Sequence, residues 1–345
     1  MHEPPANLPD ARLRAALRDA YGLDVAELAF LPIGYDAAAW VYRARAAGGA
    51  TYFLKVRLAV NNEAALVVPR YLHDHGVARV VAPLPTASGA LWANLDGFAL
   101  ILYPFVAGAS GHERGLTDRQ WVDYGALLRR VHDTPVSPEL AVRLRRETFA
   151  PDGAAMVRRL DAYLDGRVLD DPLTSALAGF WAEHRAEIRT VLARAEVLGR
   201  RLARAEPPLV LCHADIHTAN VLVDDDGQVW FVDWDETMLA PRERDLMFAL
   251  GGGISTAWVR PRDEARFLAG YQGTPGVGAI AIDPLGLAYY RYAWAVSDIG
   301  AFGEEVCFRP DLGDVSRQVD LRGFRSLFEP GAIVALALGA DVEGA

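Results

Sequence analysis

Lysine is all but missing from this chain. Of its 35 basic residues 34 are arginine, and the single lysine is Lys55. A Walker A loop needs Gly-Lys-Ser/Thr, whereas Lys55 follows Leu54, so a P-loop nucleotide hydrolase is excluded. Any chemistry that needs an ammonium group must use Lys55. Cysteine is scarce as well. Cys212 and Cys307 are too few and too far apart for a disulfide framework or a zinc cluster, which points to a reducing compartment. No apolar run approaches the roughly 20 residues of a membrane span. The opening stretch, MHEPPANLPDARLRAALRDAYG, carries charge where a signal peptide would be apolar. The expectation is a cytoplasmic protein. Positive charge is in the minority, and the formal net charge is −10. That balance argues against nucleic acid or an anionic membrane as partner, and it suits a cationic small substrate. No G-x-S-x-G occurs, so a nucleophile elbow is absent. Gly276-Val277-Gly278-Ala279-Ile280-Ala281 matches G-x-G-x-x-A. It follows a helical pattern and not a strand, so it reads as a loop.

What is present is an ordinary globular composition, 52% apolar and 23% charged over 345 residues, long enough for two lobes. Residues 8–22 have helical periodicity with Gly22 as the stop. Runs 25–33, 38–46 and 51–58 are rich in β-formers and separated by turn residues, which predicts an antiparallel meander. Residues 61–75 read as a helix, with a kink expected at Pro69. Strands are expected near 90–95 and 97–103, joined at Asp96-Gly97. Beyond a linker at Pro104–Gly108 the pattern turns helical. Thr117 and Gln120 form a capping box that opens a helix to about Asp133. Further helices are expected at 153–164, 172–205, 243–250, 260–271 and 284–302, with a β-rich patch at 209–233.

The chemistry concentrates in that patch, VLCHADIHTANVLVDDDGQVWFVDWD over 210–235. Two short strands, Asn220–Val223 and Val229–Val232, flank a turn at Asp224–Gly227, which makes a hairpin. Asn220 begins the first strand and Asp233 follows the second, so antiparallel pairing makes them neighbours. Their oxygen atoms suit a hard cation such as Mg²⁺. Asp215 lies five residues before Asn220 and can accept a proton from a hydroxyl. Phosphoryl transfer needs that set, a metal against phosphate charge and a carboxylate for the acceptor. Asp224–Asp226 read as a solvated turn.

H-x-D-x-x-x-x-N followed 13 residues later by Val-Asp resembles the catalytic and metal loops of the protein-kinase-like fold. HADIHTAN with VDW is closer to the aminoglycoside phosphotransferase family, whose loops read H-G-D-x-H-x-x-N and I-D-W. LAPRERDLMFALGGG and YYRYAWAVSDIGAFGE resemble its spectinomycin phosphotransferase branch. The likeness is sharp over 210–252 and 289–304 and architectural elsewhere. It implies an α+β, bilobal protein-kinase-like fold: a β-rich N-lobe over 1–102, a hinge at 103–108 and a mainly helical C-lobe over 109–345. It implies ATP and Mg²⁺ as cofactors, with Asp215 as catalytic base and Asn220 and Asp233 as metal ligands. Lys55 resembles the lysine that holds the α- and β-phosphates, and Glu63, the only acid between Lys55 and Asp74, its ion-pair partner. Leu102, Tyr103 and Phe105 fall in the adenine-binding hinge. His213 and His217 resemble loop-ordering residues, and Asp245 an acid that braces the catalytic loop.

Two departures stand out. The loop at Ile33–Ala39 lacks the glycine triplet of protein kinases, and Trp234 replaces the Phe of D-F-G with no A-P-E after it, which disfavours a protein substrate. The expected activity is ATP-dependent phosphorylation of a hydroxyl on a small cationic aminocyclitol or aminoglycoside such as spectinomycin, serving resistance or self-protection. Asp235, Glu236, Asp298 and Glu304 are the acids expected to face it. The aromatics Trp234, Tyr289, Tyr290, Tyr292 and Trp294 either line the same pocket or pack the core. Rival readings are a kinase of choline, homoserine or a sugar, a metal hydrolase, and a non-catalytic nucleotide-binding protein. The metal hydrolase is disfavoured because His217 is the last histidine and the earlier ones lack ligand spacing. A monomer or a homodimer both remain open.

Overall fold

The structure is a computed structural model that describes residues 5, 7–32, 39–166, 169–273 and 280–340. In chain order its elements begin with helix α1 (Asp10–Tyr21), strands β1 (Val25–Leu31), β2 (Ala39–Ala46) and β3 (Thr51–Arg57), helix α2 (Ala64–Asp74), and strands β4 (Ala93–Leu95), β5 (Phe98–Pro104) and β6 (Gly108–Ser110). Helices α3 (Gly111–Arg114), α4 (Asp118–Asp133) and α5 (Pro138–Ala141) follow, then β7 (Arg145–Arg146), α6 (Ala154–Tyr163) and the long α7 (Pro172–Ala205). Strands β8 (Val210–Cys212), β9 (Val221–Asp224), β10 (Val229–Phe231) and β11 (Met238–Ala240) precede α8 (Glu243–Leu246), α9 (Pro261–Gln272), α10 (Pro284–Phe308), α11 (Gly313–Ser326) and α12 (Ile333–Leu338). The chain forms two compact units. One holds Met1–Leu144 with Thr218–Thr237, the other Arg145–His217 with Met238–Ala345. Among the described residues no helix is long and apolar enough to cross a membrane.

The first unit is built on a five-stranded antiparallel sheet in the order β1-β2-β3-β5-β4. Helix α1 stops where Gly22 turns left-handed, at φ 64°. The Gly22 and Leu23 N–H groups then satisfy the last carbonyls, those of Arg18 and Leu17. The α1 face bearing Leu13 and Leu17 packs with Tyr42, Leu54, Val56 and Leu100 into one core. Tyr21 ties the helix down by donating to the Leu100 carbonyl at 2.8 Å. Strands β4 and β5 meet through Asp96 and Gly97, both at positive φ (51° and 84°), the two-residue turn that fits strand twist. Helix α2 runs on through Pro69 to Asp74, past the expected kink. The capping box at Thr117 and Gln120 is complete, each side chain bonded to the other's backbone N–H.

A second sheet of this unit, β10-β9-β6, carries the hairpin. The linker expected at 104–108 therefore ends in a strand, since β6 pairs with β9 from Gly108↔Asp224 to Ser110↔Leu222. The hairpin is stitched to the rest of the unit at Phe231. Its N–H donates to the Arg79 carbonyl, and its carbonyl accepts from Val81 N–H, both at 3.0 Å. Asp224 is more than a solvated charge. Its carboxylate accepts from Gln228 N–H and from Trp230 Nε1, both at 2.7 Å, and so locks the turn.

The second unit is mainly helical, with α7 and α10 at its centre. Its small sheet has the order β7-β11-β8. There β11 runs antiparallel to β8, with Met238 opposite Cys212, and parallel to β7. Residues 33–38 and 274–279, which take in most of the glycine-poor loop and of the G-x-G-x-x-A stretch, lie outside the described residues.

Candidate active site

Alternation along β3 buries Leu54 and Val56 in the sheet core and turns Lys55 and Arg57 to the opposite face. On that face both cations meet one carboxylate. Lys55 Nζ lies 3.6 Å and Arg57 Nη1 3.3 Å from Oδ2 of Asp235. Asn62 Nδ2 donates to the Asp235 backbone carbonyl at 2.7 Å. Glu63, expected beside Lys55, points elsewhere. It is exposed and pairs with Arg143 at 3.4 Å, because it stands before the first turn of α2, in the N-cap position.

Asp235 lies two residues beyond Asp233, at the end of the β9–β10 ribbon. Asn220 closes a short 3₁₀ turn, Thr218–Asn220, just before β9. Its carbonyl accepts from Val232 N–H at 3.1 Å, so the ladder sets Asn220 opposite the residue before Asp233. Asp233 has φ 63°, a left-handed conformation that a non-glycine residue adopts at about 1–3 kcal/mol and that clusters at functional sites. Tyr103, on β5, belongs to the same neighbourhood. Burial raises its hydroxyl pKa, the Asp235 and Asp233 charges raise it further, and Arg57 opposes them. Leu102 is buried and its carbonyl accepts from Leu84 N–H at 2.7 Å. Tyr103 and Phe105 are half-buried. Glu236 is exposed. An asparagine and an aspartate offering oxygen, with no imidazole or thiolate among them, form a donor set that fits Mg²⁺.

In the second unit the stretch 213–217 is built around a buried acid. Asp245, fully buried, accepts from the backbone N–H of His213 at 2.8 Å and of Ala214 at 2.6 Å. Ala214 is thereby held at φ 68°, a second left-handed non-glycine residue at the motif. His213 is fully buried. Asp215 N–H donates to its Nδ1 at 3.3 Å, which requires that nitrogen to be unprotonated. The Asp215 carboxylate lies 3.4 Å from His217 Nε2. His217 in turn packs edge-on against Phe248 and Trp258. Phe248 meets Trp294 at 4.9 Å between ring centroids, so an aromatic chain leads from Asp215 onto α10.

Trp294 lines a cavity of about 230 Å³ in this unit, together with Tyr289, Tyr290, Ser297, Arg244 and Glu147. The guanidinium of Arg244 lies over the Trp294 ring at 5.2 Å. Tyr290 is 1% exposed, and its hydroxyl has no protein partner. Tyr289, Tyr290 and Trp294 are thus wall residues, whereas Tyr292 and Trp234 lie outside that lining. Asp298 lies one turn beyond Trp294 on α10. Burial pushes its carboxyl up to about 7, against Trp294 and Arg244, which lower it. Glu304, further along the helix, is half-buried. The sequence alone does not mark Arg57, Asn62 or Arg244 as neighbours of these groups. Only the placement of Arg57 two residues from Lys55 could have marked one of them.

Fold and site together define a small-molecule kinase. A profile of the phosphotransferase enzyme family matches residues 10–281, and the chain belongs to that family. It is 29% identical to protein StrN of Streptomyces griseus over 255 residues, 71% of this chain and 75% of that protein. Among solved structures it is similar to spectinomycin phosphotransferase in complex with ADP and spectinomycin, with TM-score 0.85 and 33% identity over 96% of this chain and 98% of that one. Amicoumacin kinase, solved with AMP-PNP, Ca²⁺ and Ami, shares the fold at TM-score 0.61 and 18% identity, over 92% of each chain. The kinase-like fold and the family expected from the motif pair are those observed.

Proposed function

We propose that the protein is an ATP-dependent O-phosphotransferase that moves the γ-phosphoryl group to a hydroxyl of a small cationic aminocyclitol, with spectinomycin as first candidate. Lys55 holds the α- and β-phosphates, and the segment Leu102–Phe105 borders the adenine. Asn220 and Asp233 hold Mg²⁺, which when bound neutralises charge on the phosphates. Asp215 orients the acceptor hydroxyl and takes its proton as the oxygen bonds to the γ-phosphorus and the bond to the ADP oxygen breaks. Asp245 keeps the loop in its left-handed turn, and His213 and His217 fix the direction of Asp215. Catalysis is positioning and charge neutralisation, with no covalent enzyme intermediate. The observation that carries this reading is the contact of the only lysine with the ribbon that bears Asn220 and Asp233, Lys55 to Asp235 at 3.6 Å.

The acceptor reading draws on the likeness to spectinomycin phosphotransferase along nearly the whole chain. The cavity by α10 offers polar groups for an acceptor, the Tyr290 hydroxyl and the carboxylates of Glu147 and Asp152, set among Arg145, Arg146 and Arg244. Asp298, beside Trp294, and Glu304 are proposed as further acids of that region. A coupled ADP-release screen over aminocyclitols, aminoglycosides and small metabolic alcohols tests it. Spectinomycin should give acceptor-dependent turnover, and Asp215→Ala should lower kcat by at least about 10²-fold, as loss of a general base does, while sparing ATP binding. Turnover on choline or homoserine alone would move the protein to the metabolite kinases. Near-normal kcat in Asp215→Ala would remove Asp215 from the mechanism.

A further inference from the structure

We propose that Asp235, and not a glutamate of the helix after β3, is the residue that positions Lys55, with Arg57 and Asn62 holding Asp235 in place. The proposal rests on the reading of Lys55 as the phosphate ligand. An ammonium group on a four-carbon stem samples many rotamers, and a fixed carboxylate selects among them. Glu63 cannot be that carboxylate as the chain is folded, since it is exposed and paired with Arg143. Asp235 is fixed from both ends. Its backbone carbonyl accepts from Asn62 at 2.7 Å, and its Oδ2 is shared by Lys55 at 3.6 Å and Arg57 at 3.3 Å.

The sharing has an electrostatic consequence. Two cations around one carboxylate leave a net positive charge on the face that Lys55 presents, so the group remains attractive to polyphosphate while its geometry is set. Without Asp235 the two cations, two residues apart on one strand face, repel each other and swing apart. Arg57 is then a positioning residue at one remove, acting through Asp235.

The single lysine supplies a probe independent of turnover. In protein grown with ¹³C-labelled lysine, one ¹³Cε signal reports Lys55 alone. Asp235→Asn should shift that signal in nucleotide-free protein and cut kcat/KM for ATP at least tenfold, and Asp235→Glu should recover part of the loss. Arg57→Ala should shift the same signal by less. Tighter ADP binding by Asp235→Asn, measured calorimetrically without acceptor, would overturn the proposal, for Asp235 would then compete with phosphates and not guide the lysine. A Glu63→Gln variant that shifts the lysine signal and lowers kcat/KM as much as Asp235→Asn would overturn it as well. The underlying reading fails separately. If Lys55→Met keeps wild-type ADP affinity and kcat/KM, Lys55 is no phosphate ligand, even where the Asp235→Asn signal still moves and shows the pair to be real.

Discussion

Asp298 holds a proton that its unfolded counterpart gives up. Its carboxyl is raised from 3.8 to about 7, burial first among the causes. Between those values the folded state binds the proton and the unfolded state does not. Stability therefore falls as pH rises from about 4 to 7 and is level above that. Asp298→Asn removes the effect. Thermal melts should show the variant a few degrees more stable than wild type at pH 8, with the gap closing towards pH 4. A constant gap across that range would place the proton elsewhere. At this scale the sequence was informative where spacing was short. The neighbourhood of Asn220 and Asp233 was legible because a tight hairpin leaves few ways to arrange the ends of its two strands. The partner of Lys55 was not, because Asp235 is some 180 residues away in the chain, and the nearest acid, Glu63, was the wrong guide.

At the scale of elements the hairpin is the piece on which Asn220 and Asp233 are mounted. Strand β6 extends it into a three-stranded sheet, and it can do so only because residue 108 has no side chain. A Cβ on Gly108 would lie 2.1 Å from the Val223 carbonyl oxygen. Gly108→Ala should therefore push β6 off β9 and destabilise the fold by about 1–3 kcal/mol, the range for forced overpacking. Urea unfolding would measure it, and an unchanged midpoint would show that β6 yields freely. The meander, the Asp96-Gly97 turn and the Thr117 capping box were legible because each depends on residues close in sequence. Strand β6 was hidden in a breaker-rich stretch, and β7 is two arginines whose strand character exists only through pairing with β11.

For the whole molecule the testable quantity is linkage. A nucleotide that binds only the folded chain stabilises it by about 2.7 kcal/mol at a hundredfold excess over its Kd. MgATP should raise the Tm of the wild type and raise it markedly less in Lys55→Met. Equal shifts would take Lys55 out of the nucleotide site. The compact units also show what chain order conceals, since Thr218–Thr237 belongs with Met1–Leu144 through the backbone bonds of Phe231 to residues 79 and 81.

The amino-acid sequence by itself determined which acids, amides and single ammonium group are at hand, and how turns and caps order them over a dozen positions. Propensity and spacing act at that range, so they can be read from a string. Tertiary structure alone decided which carboxylate faces the only lysine and which polar groups, such as the Tyr290 hydroxyl, are buried without a partner. Those outcomes follow from packing between segments far apart in the chain, where burial and charge outweigh any local preference.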